Sequence, residues 1–478
     1  MATTKVKAWT LGDKAMPHFP SEFEIVRKVV LQVTNIQSNN NKYYALELHQ
    51  AKEKGGTFYR LYTHYGRTDD LDKNPESGQK ENRFFDTFAE AQQVYDSIYR
   101  EKTSPRKGYK EVALASTKIG SEKARGTATG TVDDKTLARI KAGSGKVEAP
   151  KSQLPAPVQA LVRYLYDEAT TALTSAVSAK ITANGIETPL GILTVGQIEK
   201  GEEILSSLYA AFQKKKKNRP LLEELSSEFY TVIPHRIGRT RGAIATAVID
   251  SLAAFQQKQE LLQLMKDMLQ VNGETGGVLF NARVDQEYEA LKCRVEPVDR
   301  SDPHYHEMER SIRDSQVKSK TIKVVNLFKV CRAGEWEGFT ENISNHRLLF
   351  HGSRISNWVG ILSRGILLPK IVVSMGVDRT DEGWLGNGIY FGDAACTSAG
   401  YTTPGKKRTC FMAIARVALG KVKKYHEITY GLATPPKGYN SCHGVRCTDE
   451  VESEFDDDEF VIYTTAQQRL EYLVEMTT

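Results

Sequence analysis

Three short segments carry the residues with the most chemistry to offer. In Leu348-Leu349-Phe350-His351-Gly352-Ser353-Arg354 an apolar run delivers an imidazole and a flexible glycine to a strand end. Leu385-Gly386-Asn387-Gly388-Ile389-Tyr390-Phe391 and Thr397-Ser398-Ala399-Gly400-Tyr401 add two tyrosines and a serine that could converge there. Such a set suits a flat, polar ligand. Aromatic faces stack on it, while hydroxyl and backbone groups hydrogen-bond its edge.

These residues need elements to hold them. Thr321 to Val330 reads as a long strand and Arg347 to Phe350 as the next one. Upstream, Leu154 to Leu269 is helical in pattern: Val158, Leu161, Val162 and Leu165 recur at i, i+3, i+4, i+7, and Leu261, Leu262, Met265, Met268 and Leu269 form another stripe. Three strands are expected from Phe23 to Leu31, Lys42 to Leu48 and Phe58 to Tyr62, followed by a helix over Thr87 to Tyr99. From Ala113 to Gln153 the composition turns to Ser, Thr, Gly, Ala and Lys, which reads as a linker with at most one short helix, Thr131 to Ala138. At 478 residues the chain exceeds one ordinary core, and several domains are expected.

The His351, Tyr390, Ser398 and Tyr401 segments, in this order and followed by Glu459-Phe460-Val461-Ile462-Tyr463, resemble the catalytic domain of the poly(ADP-ribose) polymerase family. The segments Leu368 to Trp384, His443 to Val445 and Phe455 to Val461 are most similar to its vault-type member. The resemblance implies NAD as a consumed substrate, with His351, Tyr390 and Glu459 as the catalytic set. It also implies that Gly352 and Ser398 hold the nicotinamide carboxamide, Tyr401 and Tyr390 enclose its ring, His351 binds a ribose hydroxyl, and Ser353 and Asn357 lie near the adenosine ribose. Thr397 stands where many polymerising members have lysine. Taken singly, His351 fits a satisfied strand-end histidine, the tyrosines fit a core, and Glu459 closes an acidic run that reads as a solvated loop. Their occurrence together changes that reading.

The N-terminal third is similar to a WGR domain through Asn41-Lys42-Tyr43-Tyr44, Tyr65-Gly66-Arg67 and Tyr99 to Thr103, with Tyr65 in place of the naming tryptophan. By resemblance it senses broken DNA, with Tyr65, Arg67, Lys42 and Lys102 as candidate contacts; taken alone, Tyr65 and Arg67 could equally finish a hairpin. Thr188 to Leu193 and Phe229 to His235 resemble the family's regulatory helical domain, which covers the NAD site until DNA loosens it. Glu260 and Asp267 match two of its acidic positions.

The fold class expected is therefore α+β multidomain. A flexible basic arm would span 1–20, a WGR-like sheet-plus-helix module 21–112, the linker 113–153, an all-α regulatory bundle 154–272, and a mixed α+β transferase with antiparallel sheets 273–478. The activity expected is poly(ADP-ribose) synthesis on protein acceptors, the chain itself included, triggered by strand breaks. Mono-transfer is the nearer alternative and a non-catalytic NAD- or DNA-binding protein the more distant one.

Charge fits this division. Residues 1–150 hold 25 Lys and Arg against 19 Asp and Glu, so the net charge of +6 resides there, a bias that permits nucleic-acid contact. The six cysteines lack a C-x-x-C pair and read as reduced thiols. His304 and His306, and Cys442-His443 to Cys447, fall short of a zinc-ligand set, so no metal is expected. Lys214 to Arg219 reads as a solvated loop, with a nuclear-import or DNA-binding patch as the alternative. No run is long enough for a membrane span. A soluble intracellular protein is expected, nuclear in a eukaryote and cytoplasmic or nucleoid-associated in a bacterium.

Overall fold

The computed structural model describes residues 6–130, 151–177, 179–182, 185–214, 218–235, 247–274, 283–316, 321–368 and 383–478. The short helix expected at Thr131 to Ala138, Lys215 to Lys217 and the segment Lys370 to Thr380 lie outside them. Contacts divide the chain into two units, residues 1–146 with 173–277 and residues 147–172 with 278–478.

In the first unit, alternation of large apolar and polar residues draws out three long strands, β2 (Glu24–Asn35), β3 (Asn40–Glu53) and β4 (Gly56–Arg67). With β1 (Trp9–Thr10), β5 (Gln79–Phe85) and β6 (Lys110–Glu111) they form an antiparallel sheet ordered β1-β5-β4-β3-β2-β6. Val29, Leu31, Leu46, Leu48 and Leu61 bury one face under α1 (Phe88–Thr103), which contributes Ala91 and Tyr95. Thr87 caps α1 by accepting from Glu90 N–H at 3.2 Å, and its hydroxyl bonds the Glu90 carboxylate.

Two expectations change here. The arm expected over 1–20 supplies β1, pairing Trp9 with Asn82. The linker expected from 113 begins with a buried strand, β7 (Leu114–Thr117), because its small side chains allow close approach to β10 (Gly191–Leu193). With β8 (Lys180–Thr182) and β9 (Gly185–Glu187) these form a sheet ordered β7-β10-β9-β8, so the region read as all helix also carries three short strands. Its helices in this unit are α3 (Val195–Phe212), α4 (Arg219–Val232) and α5 (Leu252–Glu274).

The second unit is built on a sheet of nine strands: β11 (Cys293–Pro297), β12 (Lys323–Arg332), β13 (His346–Gly352), β14 (Ile389–Gly392), β15 (Cys410–Ala418), β16 (Val422–Tyr425), β17 (Ser441–Gly444), β18 (Glu459–Ile462) and β19 (Gln468–Thr477). The order is β11-β12-β19-β15-β13-β14-β18-β17-β16, antiparallel except for β16 with β17. Tyr305, Met308 and Ile312 of α7 (Pro303–Asp314) pack with Leu327, Phe350, Met412, Ile414 and Val474 as the main core. The bundle expected over 154–272 is divided, since its first helix, α2 (Ala156–Ala176), lies up to residue 172 in this unit, beside α6 (Arg283–Ala290). Tyr166 of α2 donates to Glu287 O of α6 at 2.8 Å. Among the described residues no helix is long and apolar enough to cross a membrane.

Candidate active site

His351, Tyr390 and Glu459 stand on β13, β14 and β18, three consecutive strands of the nine-stranded sheet. Tyr390 pairs with Val461, and Gly392 with Glu459. Because strand side chains alternate, Tyr390, Val461 and Glu459 share one face, and Gly392, opposite the glutamate, is closely lined, since a Cβ there would meet Ser398 Oγ at 3.2 Å and Ala394 O at 3.3 Å.

His351 Nδ1 lies 2.9 Å from Tyr390 O. A carbonyl only accepts, so Nδ1 carries the proton and Nε2 presents a lone pair. Burial holds the imidazole below its ordinary pKa, against the pull of that hydrogen bond, and the ring is neutral at pH 7. A neutral Nε2 can accept from a sugar hydroxyl.

The Tyr390 hydroxyl accepts from Leu385 N–H at 2.9 Å and donates to Gly386 O at 2.8 Å, so the preceding loop fixes the ring. Leu385, Cys442, Phe455 and Val461 form the apolar cluster against which Tyr390 packs.

Gly352 ends β13 against α8 (Ala395–Ala399). Any Cβ there would collide with the Ser398 carbonyl and meet Thr402 Cγ2 at 3.2 Å, so only glycine fits. Buried Ser398 donates its hydroxyl to Phe350 O at 2.9 Å and keeps lone pairs for a second partner. Tyr401 is 63% exposed, an open aromatic surface at the end of this turn. Desolvation, and then the Glu459 and Asp457 carboxylates, hold its phenol above the ordinary pKa, which places all three groups in one neighbourhood. Asn357 Nδ2 donates to Ser353 Oγ at 3.1 Å, tying together the two residues expected at the adenosine end.

Glu459 is half-buried, and burial together with the neighbouring Asp457 charge raises its pKa to about 7. Among the described residues its carboxylate makes no hydrogen bond or ion pair, in contrast to the groups before it. His443 Nε2 lies 2.6 Å from Asp458 Oδ1, and Arg446 N–H donates to the same oxygen at 3.2 Å. Against the burial that raises it, these contacts hold the Asp458 carboxyl below its usual range. Arg446 also reaches Asp393 at 3.2 Å and Asp457 at 3.8 Å. The acidic run that reads as a solvated loop is thus a clamp at the start of β18. Sequence reasoning passed over Arg446 and Asp393, because only strand register brings them to this run. Cys442 and His443 lie on β17; among the described residues no group of three or more His, Cys, Asp or Glu could hold a metal ion.

The regulatory and DNA candidates lie in the first unit. Asp267 of α5 is buried and accepts from Gln263 at 2.8 Å, and Glu260 stands on the same helix. Tyr65 stacks one face on Tyr44, with centroids 5.3 Å apart, and its hydroxyl lies 2.7 Å from Gln79 Oε1 and 2.8 Å from Glu81 Oε1. Arg67 donates to Asn39 O at 3.1 Å and to Asp69 at 3.2 Å. Lys102 sits 4.4 Å from the centre of the Tyr44 ring, while Lys42 is exposed. Beside them opens a cleft of about 1010 Å³, with Lys42, Lys102, Arg106 and Lys107 on one wall and Glu223 and Glu228 on the other. It includes none of the His351, Tyr390 and Glu459 set.

Comparison with known proteins finds three matched segments along the chain. Residues 303–478 match the family model "Poly(ADP-ribose) polymerase catalytic domain", residues 152–274 "Poly(ADP-ribose) polymerase, regulatory domain", and residues 27–115 "WGR domain". The chain is 28% identical over 481 residues to the human Protein mono-ADP-ribosyltransferase PARP4, covering 99% of this chain and 25% of that protein. It is 34% identical over 296 residues to the mouse protein of the same name, covering 62% of this chain and 15% of that one. Human Poly [ADP-ribose] polymerase 2 is 26% identical over 504 residues, covering 96% of this chain and 81% of that protein. The chain therefore spans a quarter or less of the PARP4 relatives it matches.

Proposed function

Because the chain belongs to the poly(ADP-ribose) polymerase family, we propose that it transfers ADP-ribose from NAD to protein acceptors, itself included, and to growing chains, releasing nicotinamide when it meets broken DNA. The observation that carries this reading is a Glu459 carboxylate that has no partner among the described residues and a pKa of about 7, one strand from Tyr390 and two from His351.

Breaking the bond between nicotinamide and ribose makes the sugar carbon oxocarbenium-like, so catalysis needs negative charge beside it and a firm hold on the leaving group. Ionised Glu459 supplies that charge and orients the acceptor hydroxyl. His351 Nε2 accepts from a ribose hydroxyl. Gly352 and Ser398 take the carboxamide, Tyr401 and Tyr390 enclose the ring, and Ser353 with Asn357 meets the adenosine ribose. NAD is consumed.

For DNA, Lys42, Lys102, Arg67 and Tyr65 form the contact surface, with the cleft cations Arg106 and Lys107 extending it along a phosphate backbone. Glu260 and Asp267 belong to a helical segment that restrains the site until DNA binds. Mono-transfer is favoured by Thr397, which offers no cation to a growing polyanionic chain, and by the mono-transferase names of two relatives.

The test is incubation with labelled NAD and nicked, blunt-ended or intact DNA. Nicotinamide release with a labelled ladder, stimulated by ends or nicks, is the expected result. A single labelled band selects mono-transfer, and no release rejects the enzyme.

A further inference from the structure

The family match places residues 152–274 in one regulatory segment, yet its first helix is built into the catalytic unit. Tyr164, Glu168 and Thr171 of α2 fall at i, i+4 and i+7, on one helix face. That face grips the turn after Tyr401. Glu168 Oε1, on a side chain 8% exposed, accepts from Lys406 N–H at 2.7 Å. The Tyr164 hydroxyl accepts from Lys407 N–H at 3.2 Å and lies 3.4 Å from Thr409 Oγ1, whose own proton goes to Glu475 Oε1 at 2.7 Å. Lys406 Nζ donates to Thr171 Oγ1 at 2.9 Å, and Lys407 Nζ lies 4.4 Å from the centre of the Tyr164 ring.

The same turn also packs against the residues after Ser353. A Cβ on Gly405 would clash with the Tyr164 hydroxyl and meet Ile355 Cδ1 at 2.6 Å and Glu168 Cδ at 3.0 Å, so helix, turn and the residues after Ser353 share one close contact. Thr403 bridges Arg354, and Thr402 lies against Gly352. Chain from Tyr401 to Thr409 therefore runs as a strap past both ends of the donor site, with α2 holding its middle.

We propose that α2 is a fixed part of the NAD site, with Tyr164 and Glu168 as positioning residues that set the strap and, through it, Tyr401. This rests on the transferase reading given above. It confines any covering role of the helical segment to α3, α4 and α5.

The experiment is steady-state nicotinamide release from the full chain at saturating DNA, with NAD varied, for wild type, Glu168→Ala, Glu168→Gln and Tyr164→Phe. Glu168→Ala should raise KM for NAD about tenfold with kcat within about twofold, since it loosens a binding surface rather than the reacting groups. Glu168→Gln keeps a carbonyl to accept from Lys406 N–H and should restore KM to within about twofold of wild type. If Glu168→Ala fails to fold, Tyr164→Phe carries the test. It removes one hydroxyl, keeps the ring beside Phe411 at 5.8 Å between centroids, and should raise KM about threefold. Folded variants whose KM stays at the wild-type value, or whose kcat falls while KM does not move, overturn the assignment. A wild-type chain that releases no nicotinamide overturns the transferase reading as well.

Discussion

Two glutamates on the strands of this protein, Glu47 and Glu459, stand in opposite surroundings. In the six-stranded sheet Glu47 is 2% exposed and saturated: it accepts from Ser121 N–H at 2.8 Å and from the Ser121 hydroxyl at 2.5 Å, and it lies 2.7 Å from His49 Nε2. His49 in turn accepts from Arg60 Nε at 2.9 Å and stacks on Phe23 with centroids 4.4 Å apart. In the nine-stranded sheet Glu459 is half-buried and no described residue satisfies it, although His443 and Arg446 satisfy Asp458 next to it. A buried carboxylate with every lone pair engaged holds a fold together. One that is desolvated and left open carries a raised pKa and awaits a ligand.

The sharpest way to break the contrast is to neutralise each carboxylate. Glu459→Gln should lower transfer about 10² to 10⁴-fold, measured as nicotinamide release, with thermal stability retained. Glu47→Gln should do the reverse. It replaces a carboxylate that only accepts with an amide that can satisfy only part of its donors, costing about 2 kcal/mol of stability in denaturant unfolding. Transfer by the folded protein at saturating DNA should stay within about twofold.

A third expectation concerns pH. Glu459 must be ionised to stabilise positive charge, so kcat should fall about tenfold per unit below a pH of about 7. Stability runs the other way. The folded pKa is raised above the unfolded one, so the contribution of this group is fully present below the unfolded value of 4.5 and is lost as pH rises through about 7. Glu459→Gln should therefore gain melting temperature over wild type as pH passes 7, and the gain should shrink toward pH 4.5. A gain independent of pH would remove the raised pKa from the account. The smallest effect is expected in the other unit: Lys42→Ala should reduce the salt slope of DNA affinity by about one and weaken binding to all sequences alike.

The strand that delivers His351 was legible because Leu348-Leu349-Phe350 is an apolar run, and the family resemblance set Glu459 ahead of the apolar strand Phe460 to Tyr463, whereas no strand was assigned to Tyr390. The adjacency of the three was not legible, since β13, β14 and β18 are separated by long insertions and only hydrogen-bond register orders them. The same limit hid the Arg446 clamp, whose carboxylates come from two strand ends. For β7 the reason differs. Leu114-Ala115-Ser116-Thr117 has too little apolar contrast to announce a strand, and its burial comes from a partner 74 or more residues away. Helical periodicity found α2 but could not say what its Tyr164 and Glu168 face would hold. A 3.6-residue stripe specifies that a surface is covered, and leaves the covering element to tertiary structure.

The central claim is that Glu459, half-buried and satisfied by no described residue, is kept open for a reaction at the nicotinamide riboside. Incubating the full chain with broken DNA and NAD labelled in both the nicotinamide and the adenylate, and counting the two products at pH 8, tests it most directly. Nicotinamide released in equal amount to ADP-ribose bound covalently to protein, with both lost in Glu459→Gln and neither lost in Glu47→Gln, is the predicted result. Undiminished release from Glu459→Gln would contradict it.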